Sequence, residues 1–299
     1  MLNLADLQLF IRISETGGIG SAARSLGMTA ATASAAVKRI ERELDSQLLE
    51  RSTRSLRLTQ AGESFLGYCA QSVQLLEEGM AALKDGRDAL SGEIHVGAPS
   101  DLGRDHLDEV LEPFRQRHPQ IRLIMHLSDG IQDLYRNGID LVLRYGRLRD
   151  SNLIARQLRD NDRVICAAPA YLECAGRPAD IAELARHNCI CVYRNGELFN
   201  IWNVVDGGVA HEVQVHGDRA ADDGALVRKW ALQGRGIAYK SRIDIQGDLA
   251  AGRLVDLFPE AKCEPAPLYA VYPSRRYQPA RLKALLEFLE AAFRDELRD

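Results

Sequence analysis

The chain has 299 residues, of which 46% are hydrophobic and 27% charged, a composition typical of a globular protein with two or three domains. No run of 18 apolar residues occurs, which argues against a membrane-spanning helix, and residues 1–10 carry an Asp and no Lys or Arg, unlike a signal peptide. We therefore expect a cytoplasmic protein with no membrane partner.

The net charge of −4 is unevenly distributed along the chain. Residues 1–58 have a net charge of +2, and six of their eight Lys and Arg residues lie between Lys38 and Arg57. A local basic patch on an acidic chain is typical of nucleic-acid contact by one small domain.

The first 98 residues contain no proline, so they should be mostly helical. The apolar spacing predicts helices at residues 4–14, 21–26 and 30–44. Gly27 is suited to end the second helix, and Thr29 is a suitable N-cap for the third. This layout is typical of a helix-turn-helix.

The third predicted helix has unusually small side chains. From Ala30 to Ala36 every residue is Ala, Thr or Ser. Ala favours helix strongly, but a helix without large apolar residues anchors poorly in a core. This pattern suggests that something other than a core lies against the face that these small residues form.

Residues 51–59, with the sequence RSTRSLRLT, place Arg51, Arg54 and Arg57 at intervals of three and predict a β-hairpin wing. A long helix is predicted from Thr59 to about Leu90. Its apolar residues recur at heptad-like spacing, at Leu66, Cys69, Val73, Leu76, Met80 and Leu83. Such a seam needs a partner helix, which predicts a homodimer.

Strand and helix patterns alternate from residue 91 onward. Strands are predicted at 93–98, 121–127, 140–145, 163–168, 189–193, 236–240 and 268–273. Helices are predicted at 104–117, 131–137, 181–187, 223–233 and 280–297. This alternation predicts largely parallel sheets with helices on both faces. The sequence VVDGGV, residues 204–209, predicts a hairpin.

The six cysteines form no Cys-x-x-Cys pair and no zinc-like spacing with His, so we expect free thiols and no metal. Cys189 and Cys191 would share one face of a strand. We interpret them as packing residues, with a redox sensor as the alternative.

The chain resembles the LysR-type transcriptional regulators along its full length. The most specific piece is GSAARSLGMTAATASAAVKRIERELDSQLLERSTRSLRLTQAGE, residues 20–63. Looser pieces follow in the family's order, namely GEIHVGAP, FRQRHPQIRL, GIDLVLRYG, ALQGRGIAY and GDLAAGRLVDL. The resemblance implies an α plus α/β architecture in which a winged helix-turn-helix precedes a linker helix and a two-lobed, periplasmic-binding-protein-like effector domain.

The resemblance also implies domain limits and partners. The DNA-binding domain would be residues 1–58, the linker and dimerisation helix 59–90, and the effector domain 91–299. Within the last, lobe I would be 92–162 with 269–299, and lobe II 163–268. The partners would be a double-stranded DNA operator, a small-molecule effector and a second copy of the chain, as a homodimer or a homotetramer.

The resemblance identifies the third helix as a recognition helix, whose small residues would let its backbone approach DNA closely. The implied DNA-binding residues are Ser21, Thr29, Ala30, Ala31, Ser34, Ala35, Lys38, Arg51 and Arg54. The family often has Gln-Pro in place of Ala30-Ala31, and Arg in place of Ala35. Without those long side chains, we expect wing contacts and DNA shape to carry more of the specificity.

Open α/β sheets bind ligands beyond the carboxyl ends of their strands. The candidate effector-binding residues, which lie at or after such ends, are Ser100, Asp101, Ser128, Arg144, Tyr145, Arg194 and Trp202. The resemblance makes Ser100 and Ser128 holders of a polar group such as a carboxylate.

Arg144 supplies a positive charge suited to a carboxylate, so the effector is predicted to be an organic or aromatic carboxylate. Alternatively, Arg144 is a structural residue that forms an ion pair with Asp101 or Asp140. Trp202 is equally well explained as a core residue.

Two rival functions remain from the residues. Gly18-Ile19-Gly20 fits a dinucleotide fingerprint with Glu41 about twenty residues on, which would make the chain a nicotinamide-dependent Rossmann enzyme if strands preceded both positions. The second rival is a solute-binding or enzymatic α/β domain whose front end serves another purpose, but no Ser-His-Asp order, metal cluster or phosphate loop supports catalysis. We therefore predict no catalytic residues, no cofactor and no enzyme activity.

Overall fold

The computed structural model describes residues 2–51, 56–84, 90–129, 138–146, 153–194, 196–273 and 278–295. The described residues divide into two compact units, with residues 2–92 and 138–139 in the first and the other described residues from 93 onward in the second. Among the described residues, no helix is both long and apolar enough to cross a membrane.

The first unit is mainly helical. Its elements are α1 (Leu4–Thr16), α2 (Ile19–Ser25), α3 (Ala30–Glu43), β1 (Leu49–Arg51), β2 (Leu56–Leu58) and α4 (Gln60–Lys84). The strands β1 and β2 pair antiparallel, with Leu49 opposite Leu58. The predicted helix-turn-helix and its hairpin are thus both present.

The turn between α2 and α3 has the local chemistry that the sequence predicted. Gly27 has a φ of 66°, in the left-handed region that favours glycine. The side chain of Thr29 caps α3 by accepting a hydrogen bond from the backbone N–H of Thr32 at 3.1 Å. These two features set the direction in which α3 leaves the turn.

One side of α3 is a core face after all. Ala33, Ala36, Val37 and Ile40 are each no more than 3% exposed and pack among apolar residues of α1 and α2. The small size of Ala33 and Ala36 allows close packing against the neighbouring helices, because small side chains let backbones approach. The expectation that a helix with such small side chains anchors poorly in a core is therefore wrong for this side.

Only part of the heptad-like apolar seam of α4 is exposed to solvent. Cys69 and Val73 are buried, and Cys69 belongs to the core of the first unit. Leu76 and Met80 are 46% and 52% exposed. The first half of the seam therefore packs on its own chain, and only the second half has apolar residues left for a partner.

The second unit contains the α/β part of the chain. Its strands are β3 (Gly92–Ala98), β4 (Ile121–Leu127), β5 (Leu141–Tyr145), β6 (Leu153–Arg159), β7 (Arg163–Ala167), β8 (Cys189–Arg194), β9 (Glu197–Phe199), β10 (Ile201–Asp206), β11 (Val209–Gln214), β12 (Ala220–Ala221), β13 (Ile237–Ser241), β14 (Val255–Asp256), β15 (Lys262–Cys263) and β16 (Leu268–Pro273). Its helices are α5 (Leu107–Arg117, preceded by a π-helical turn at Leu102–His106), α6 (Pro169–Ala175), α7 (Gly224–Leu232), α8 (Arg242–Ala250) and α9 (Ala280–Asp295), with a 3₁₀ turn at Ala182–Arg186.

These strands form two principal sheets. The order is β4-β3-β5-β16-β6 in one sheet, and β12-β8-β13-β7-β14, with β9 beside β8, in the other. We call the first sheet with the elements packed on it lobe I, and the second, with β10, β11 and β15, lobe II. The chain passes between the lobes before β7 and again before β16.

Lobe II has a core on each face of its sheet. Odd-numbered residues such as Ile165, Cys189 and Ile237 belong to one apolar cluster, and even-numbered residues such as Cys166 and Ile190 belong to another. This alternation is the two-residue period of a strand buried on both faces. It explains the apolar runs at 164–168, 189–192 and 237–239 within these strands.

The prediction of largely parallel sheets is wrong. The pairs β3–β5 and β8–β13 are parallel, but β16 pairs antiparallel with both β5 and β6, and β7 pairs antiparallel with β13. The returning strand β16 runs against its neighbours because the chain re-enters lobe I from lobe II.

Two further predictions concern single elements. The hairpin predicted at residues 204–209 is present between β10 and β11. The helix predicted at 131–137 lies outside the described residues.

The Rossmann alternative is also wrong. Residues 4–16, before Gly18, form a helix, and Glu41 lies within α3 rather than after a strand. A dinucleotide fingerprint needs a strand leading into the glycine turn, which helix α1 replaces here.

Candidate functional site

The exposed face of α3 is the candidate nucleic-acid interface of the first unit. Ala30, Ala31, Ala35 and Lys38 are exposed, and Ser34 is half-buried. These residues lie on the side of the helix opposite to its buried face. The result is a shallow surface with a positive charge at Lys38 and few long side chains in front of the backbone.

The remaining predicted DNA-binding residues have different surroundings. Thr29 is exposed at the N-cap of α3, and its hydroxyl lies 2.8 Å from that of Thr32. The Ser21 hydroxyl donates to the carbonyl of Gly18 at 2.9 Å, within the start of α2. Arg54 and the side chain of Arg51 lie outside the described part of the wing.

In the second unit, Asp129 joins the two lobes. Its carboxylate accepts hydrogen bonds from the backbone N–H of Ser100 at 3.0 Å and from the Ser100 hydroxyl at 2.5 Å. It also accepts from the backbone N–H of Gly224, the first residue of α7 in lobe II, at 2.6 Å. A negative charge at the amino end of a helix is favourable, so this contact stabilises the closed lobes.

A second link between the lobes is a buried group of polar side chains. Lys240 of lobe II forms an ion pair with Asp101 of lobe I, and both side chains are about 5% exposed or less. The ammonium of Lys240 also donates to the carbonyl of Gly224 at 3.0 Å. In lobe I, Tyr145 donates its hydroxyl hydrogen bond to Asp244 of lobe II. We call Asp101, Tyr145, Lys240 and Asp244 the interlobe cluster.

The two carboxyls of the interlobe cluster have opposite pKa shifts. Burial alone would raise the pKa of Asp101, but the charge and hydrogen bond of Lys240 outweigh it, and the pKa is lowered. Burial and the neighbouring charge of Asp101 raise the pKa of Asp244 well above its ordinary value. The interactions therefore favour the ionised form of Asp101 and the protonated form of Asp244, which is consistent with one ion pair, Lys240–Asp101, in the cluster.

The backbone at Gly224 depends on the absence of a side chain. A Cβ placed there would lie 2.7 Å from a carboxylate oxygen of Asp101, closer than any ordinary contact. Glycine therefore lets α7 of lobe II approach the end of β3 in lobe I.

Two further ion pairs cross between the lobes at more exposed positions. Arg104 pairs with Asp223 at 3.0 Å, and Arg228 pairs with Asp105. Arg228 also holds Asp248 of its own lobe at 2.6 Å. Exposed ion pairs contribute little energy singly, so we assign the greater part of the interlobe stabilisation to the buried contacts.

The predicted effector residues are distributed around this junction. Ser100 and Asp101 lie in its centre, and each is less than 5% exposed. Arg144 is half-buried and pairs with neither Asp101, which holds Lys240, nor Asp140, which accepts from the backbone of His95 at 3.0 Å. The structural alternative for Arg144 is therefore wrong. Ser128 is exposed, and its N–H donates to the carbonyl of Ala98 at 3.0 Å.

Trp202 needs to be removed from the predicted effector set. It is 1% exposed and stacks on Tyr239 within a core of lobe II, with ring centroids 5.2 Å apart. A ligand has no access to a ring that is buried to this degree, so Trp202 is a core residue. Arg194, in contrast, is half-buried at the end of β8.

Sequence reasoning missed several residues of the junction. The most important are Asp129, Asp223, Gly224, Lys240 and Asp244. Lys240 carried a signal, because a single Lys stands inside the otherwise buried strand β13 and a buried Lys needs a charged partner. Asp129 directly follows the predicted Ser128. The others carried no local signal, since their partners lie about 100 residues or more away along the chain.

The cysteines favour packing over redox sensing. Burial raises the pKa of Cys189 to about 12 and that of Cys191 to about 11, so both remain protonated thiols. Cys189 is 0% and Cys191 3% exposed. Across the described residues, no group of three or more His, Cys, Asp or Glu has a geometry that could hold a metal.

Comparison with known proteins places this architecture in a family. Residues 4–63 match the profile described as "Bacterial regulatory helix-turn-helix protein, lysR family", and residues 87–294 match that described as "LysR substrate binding domain". The chain is 30% identical to the HTH-type transcriptional regulator DmlR of Escherichia coli K12 over 290 residues, which covers 97% of this chain and 94% of DmlR.

Two further relatives extend the match. The HTH-type transcriptional activator TtdR of Escherichia coli K12 is 30% identical over 96% of this chain and 92% of its own length. The structure of CrgA, a LysR-type transcriptional regulator from Neisseria meningitidis, matches with a TM-score of 0.64 and 30% identity, covering 98% of this chain and 99% of that one. The chain therefore belongs to the LysR family, as a helix-turn-helix transcriptional regulator with a substrate-binding effector domain rather than an enzyme.

Proposed function

We propose that the exposed face of α3 and the wing hold operator DNA, and that a carboxylate effector bound between the lobes controls this binding. The observation that carries the DNA half is the small-residue face of α3, open from Thr29 to Lys38. Ala methyl groups contact thymine methyls, and Ser or Thr hydroxyls bond phosphates or base edges. The residues assigned to DNA are Ser21, Thr29, Ala30, Ala31, Ser34, Ala35, Lys38, Arg51 and Arg54.

The effector half is carried by the interlobe junction. Ser100 and the start of α7 already hold the carboxylate of Asp129, so these donors are suited to a carboxylate. Arg144 adds a half-buried cation next to Tyr145, whose hydroxyl bonds Asp244 of lobe II. We assign Ser100, Asp101, Ser128, Arg144, Tyr145 and Arg194 to this site. A ligand that prefers one arrangement of the lobes shifts the equilibrium by the difference in its two affinities.

The proposed assembly is a homodimer, with a tetramer as a further step. Its support is the second half of the α4 seam, where Leu76 and Met80 are about half exposed. A second α4 helix would bury both through knobs-into-holes packing. Two helix-turn-helix units on one operator would also provide the affinity that a single unit rarely reaches at physiological salt.

The DNA half is tested by the salt dependence of binding. Arg51→Ala and Arg54→Ala should each weaken binding to operator and random DNA alike, and should reduce the slope of log K against log salt by about 0.9, the effect of one lost phosphate contact. The control is Arg122→Ala, an exposed arginine of lobe I that pairs with Glu93. Slopes equal to wild type in both wing variants would contradict the wing assignment.

The effector half is tested by the response to ligand. Arg144→Ala should remove the effector response and leave effector-free operator binding intact, because Arg144 forms no ion pair among the described residues whose loss would disturb the fold. Operator binding is measured by fluorescence anisotropy with and without a carboxylate that shifts the wild type. An unchanged response in the variant would show that the carboxylate binds elsewhere.

A further inference from the structure

Three arginines converge on the junction between the lobes. Arg144 is the next-to-last residue of β5 in lobe I, and Arg194 is the last residue of β8 in lobe II. Arg163 opens β7 opposite Ser241, the last residue of β13, and β13 runs parallel to β8. Arg163 and Arg194 therefore lie at the same end of the lobe II sheet, namely the edge formed by the carboxyl ends of β8 and β13.

That edge of lobe II meets the corresponding edge of lobe I. Tyr145, which follows Arg144 at the end of β5, bonds Asp244, three residues after the end of β13. Ser100, shortly after β3, bonds Asp223 at the start of α7 at 3.1 Å. The three guanidinium groups thus come from both sides of one junction.

These three arginines have too few acidic partners among the described residues to neutralise their charges. The Nε atoms of Arg144, Arg163 and Arg194 are buried and have no hydrogen-bond partner among the described residues. Arg163 lies over the rings of Phe199 and Tyr239 and has a carboxylate of Glu264 only at 3.9 Å. For Arg144 and Arg194, the described part of the chain provides no ion pair.

The nearby acids are already engaged. Asp101 pairs with Lys240, and Asp129 accepts from Ser100 and Gly224. Burial and the charge of Arg163 lower the pKa of Arg194, with Arg144 contributing in the same direction. Like charges held close together in a poorly solvated place are unfavourable unless an anion joins them.

We infer that the effector is a dicarboxylate, with one carboxylate held by Arg144 of lobe I and the other by Arg163 and Arg194 of lobe II. This inference rests on the proposed function and names the class of its ligand. Arginine forks bind planar carboxylates in a bidentate manner, and two separated cationic positions on different lobes match two separated anionic groups. A dicarboxylate would also neutralise charge on both lobes at once, which couples its binding to their closure.

The test compares ligands of equal length on the full chain. Malonate, succinate, glutarate and adipate are compared with propanoate, butanoate, pentanoate and hexanoate by titration calorimetry at constant ionic strength, with inorganic phosphate and sulfate as further arms. We expect at least one dicarboxylate to bind about tenfold or more tightly than its monocarboxylate partner, since the second carboxylate adds charge-assisted hydrogen bonds.

Matched variants locate the effect. Arg194→Gln should weaken dicarboxylate binding about tenfold or more and so bring it close to the affinity of the matched monocarboxylate. Arg186→Gln, an exposed lobe II arginine outside the junction, should change neither. Operator binding without ligand and the circular dichroism spectrum check that each variant is folded.

The outcomes separate this inference from the proposed function. If monocarboxylates bind as tightly as dicarboxylates and Arg144→Ala removes both, the carboxylate site stands and the dicarboxylate inference is overturned. If phosphate or sulfate binds as tightly as every dicarboxylate, the arginines form a general anion site and the inference is likewise overturned. If no carboxylate of either kind binds, the effector half of the proposed function fails, and this inference fails with it.

Discussion

The exposed face of α3 and the buried interlobe cluster use their side chains in opposite ways. On α3 the outward residues from Ala30 to Lys38 are small and mostly uncharged, so the helix backbone itself is accessible. Between the lobes, long charged side chains fill the junction, and the Lys240–Asp101 pair joins residues 139 positions apart. A helix that presents its backbone to a large partner needs only small side chains on that face. A junction between two lobes needs oppositely charged side chains on its two sides.

The interlobe ion pair should show the largest effect. Replacing Lys240 by Met leaves Asp101 buried without its partner, and removing one member of a buried pair typically costs about 3–5 kcal/mol of unfolding free energy. Urea unfolding of the full chain, followed by fluorescence, measures the loss. Lys229→Met, an exposed lysine on α7, is the matched control and should change stability by less than about 0.5 kcal/mol.

A companion variant sharpens this first prediction. Asp101→Asn combined with Lys240→Met removes both charges, so it should recover part of the stability that Lys240→Met loses. Equal stability of Lys240→Met and wild type would mean that the pair does not stabilise the closed lobes.

A matched alanine pair tests the two faces of α3. Ala36 is 3% exposed, so Ala36→Leu should destabilise the first unit by about 1–3 kcal/mol through overpacking. Ala35 is exposed, so Ala35→Leu should change stability by less than about 0.5 kcal/mol but weaken operator binding, because its bulk holds the backbone away from the groove. Thermal unfolding and anisotropy titration separate the two effects. If Ala35→Leu binds operator like wild type, the outward face is not the DNA contact.

The raised pKa of Asp244 predicts a change in the pH dependence of stability. Because burial and the charge of Asp101 raise the pKa of Asp244 in the folded state, the folded protein holds a proton that the unfolded chain has released. Stability from this group is therefore lost as pH rises above the ordinary Asp pKa, at up to about 1.4 kcal/mol per pH unit.

Asp244→Asn mimics the protonated acid and removes that dependence. Its stability should fall less steeply than that of wild type as pH rises from about 5 towards neutrality, which urea unfolding at several pH values measures. Identical slopes for the two proteins would show that Asp244 is ionised in the folded state.

Local chemistry let the sequence determine much of the first unit. The glycine at position 27 and the hydroxyl at Thr29 act on residues next to them, so α2, the turn and α3 follow from neighbouring side chains alone. Similarly, Gly207 and Gly208 both adopt positive φ in the turn between β10 and β11. The predicted strand at 268–273 coincides with β16, whose six residues are all buried, as expected of a continuous apolar run. The predicted strand at 121–127 coincides with β4.

Tertiary structure decided the rest, because it depends on partners that are distant along the chain. The sequence showed that Ala33 and Ala35 are both small, but only packing against α1 and α2 decided that Ala33 faces the core and Ala35 faces outward. The direction of β16, and with it the mixed sheet of lobe I, followed from the second passage of the chain between the lobes. Arg144 was recognisable as a charge at the end of a strand, yet its freedom from Asp101 was decided by Lys240, whose strand β13 lies almost 100 residues later.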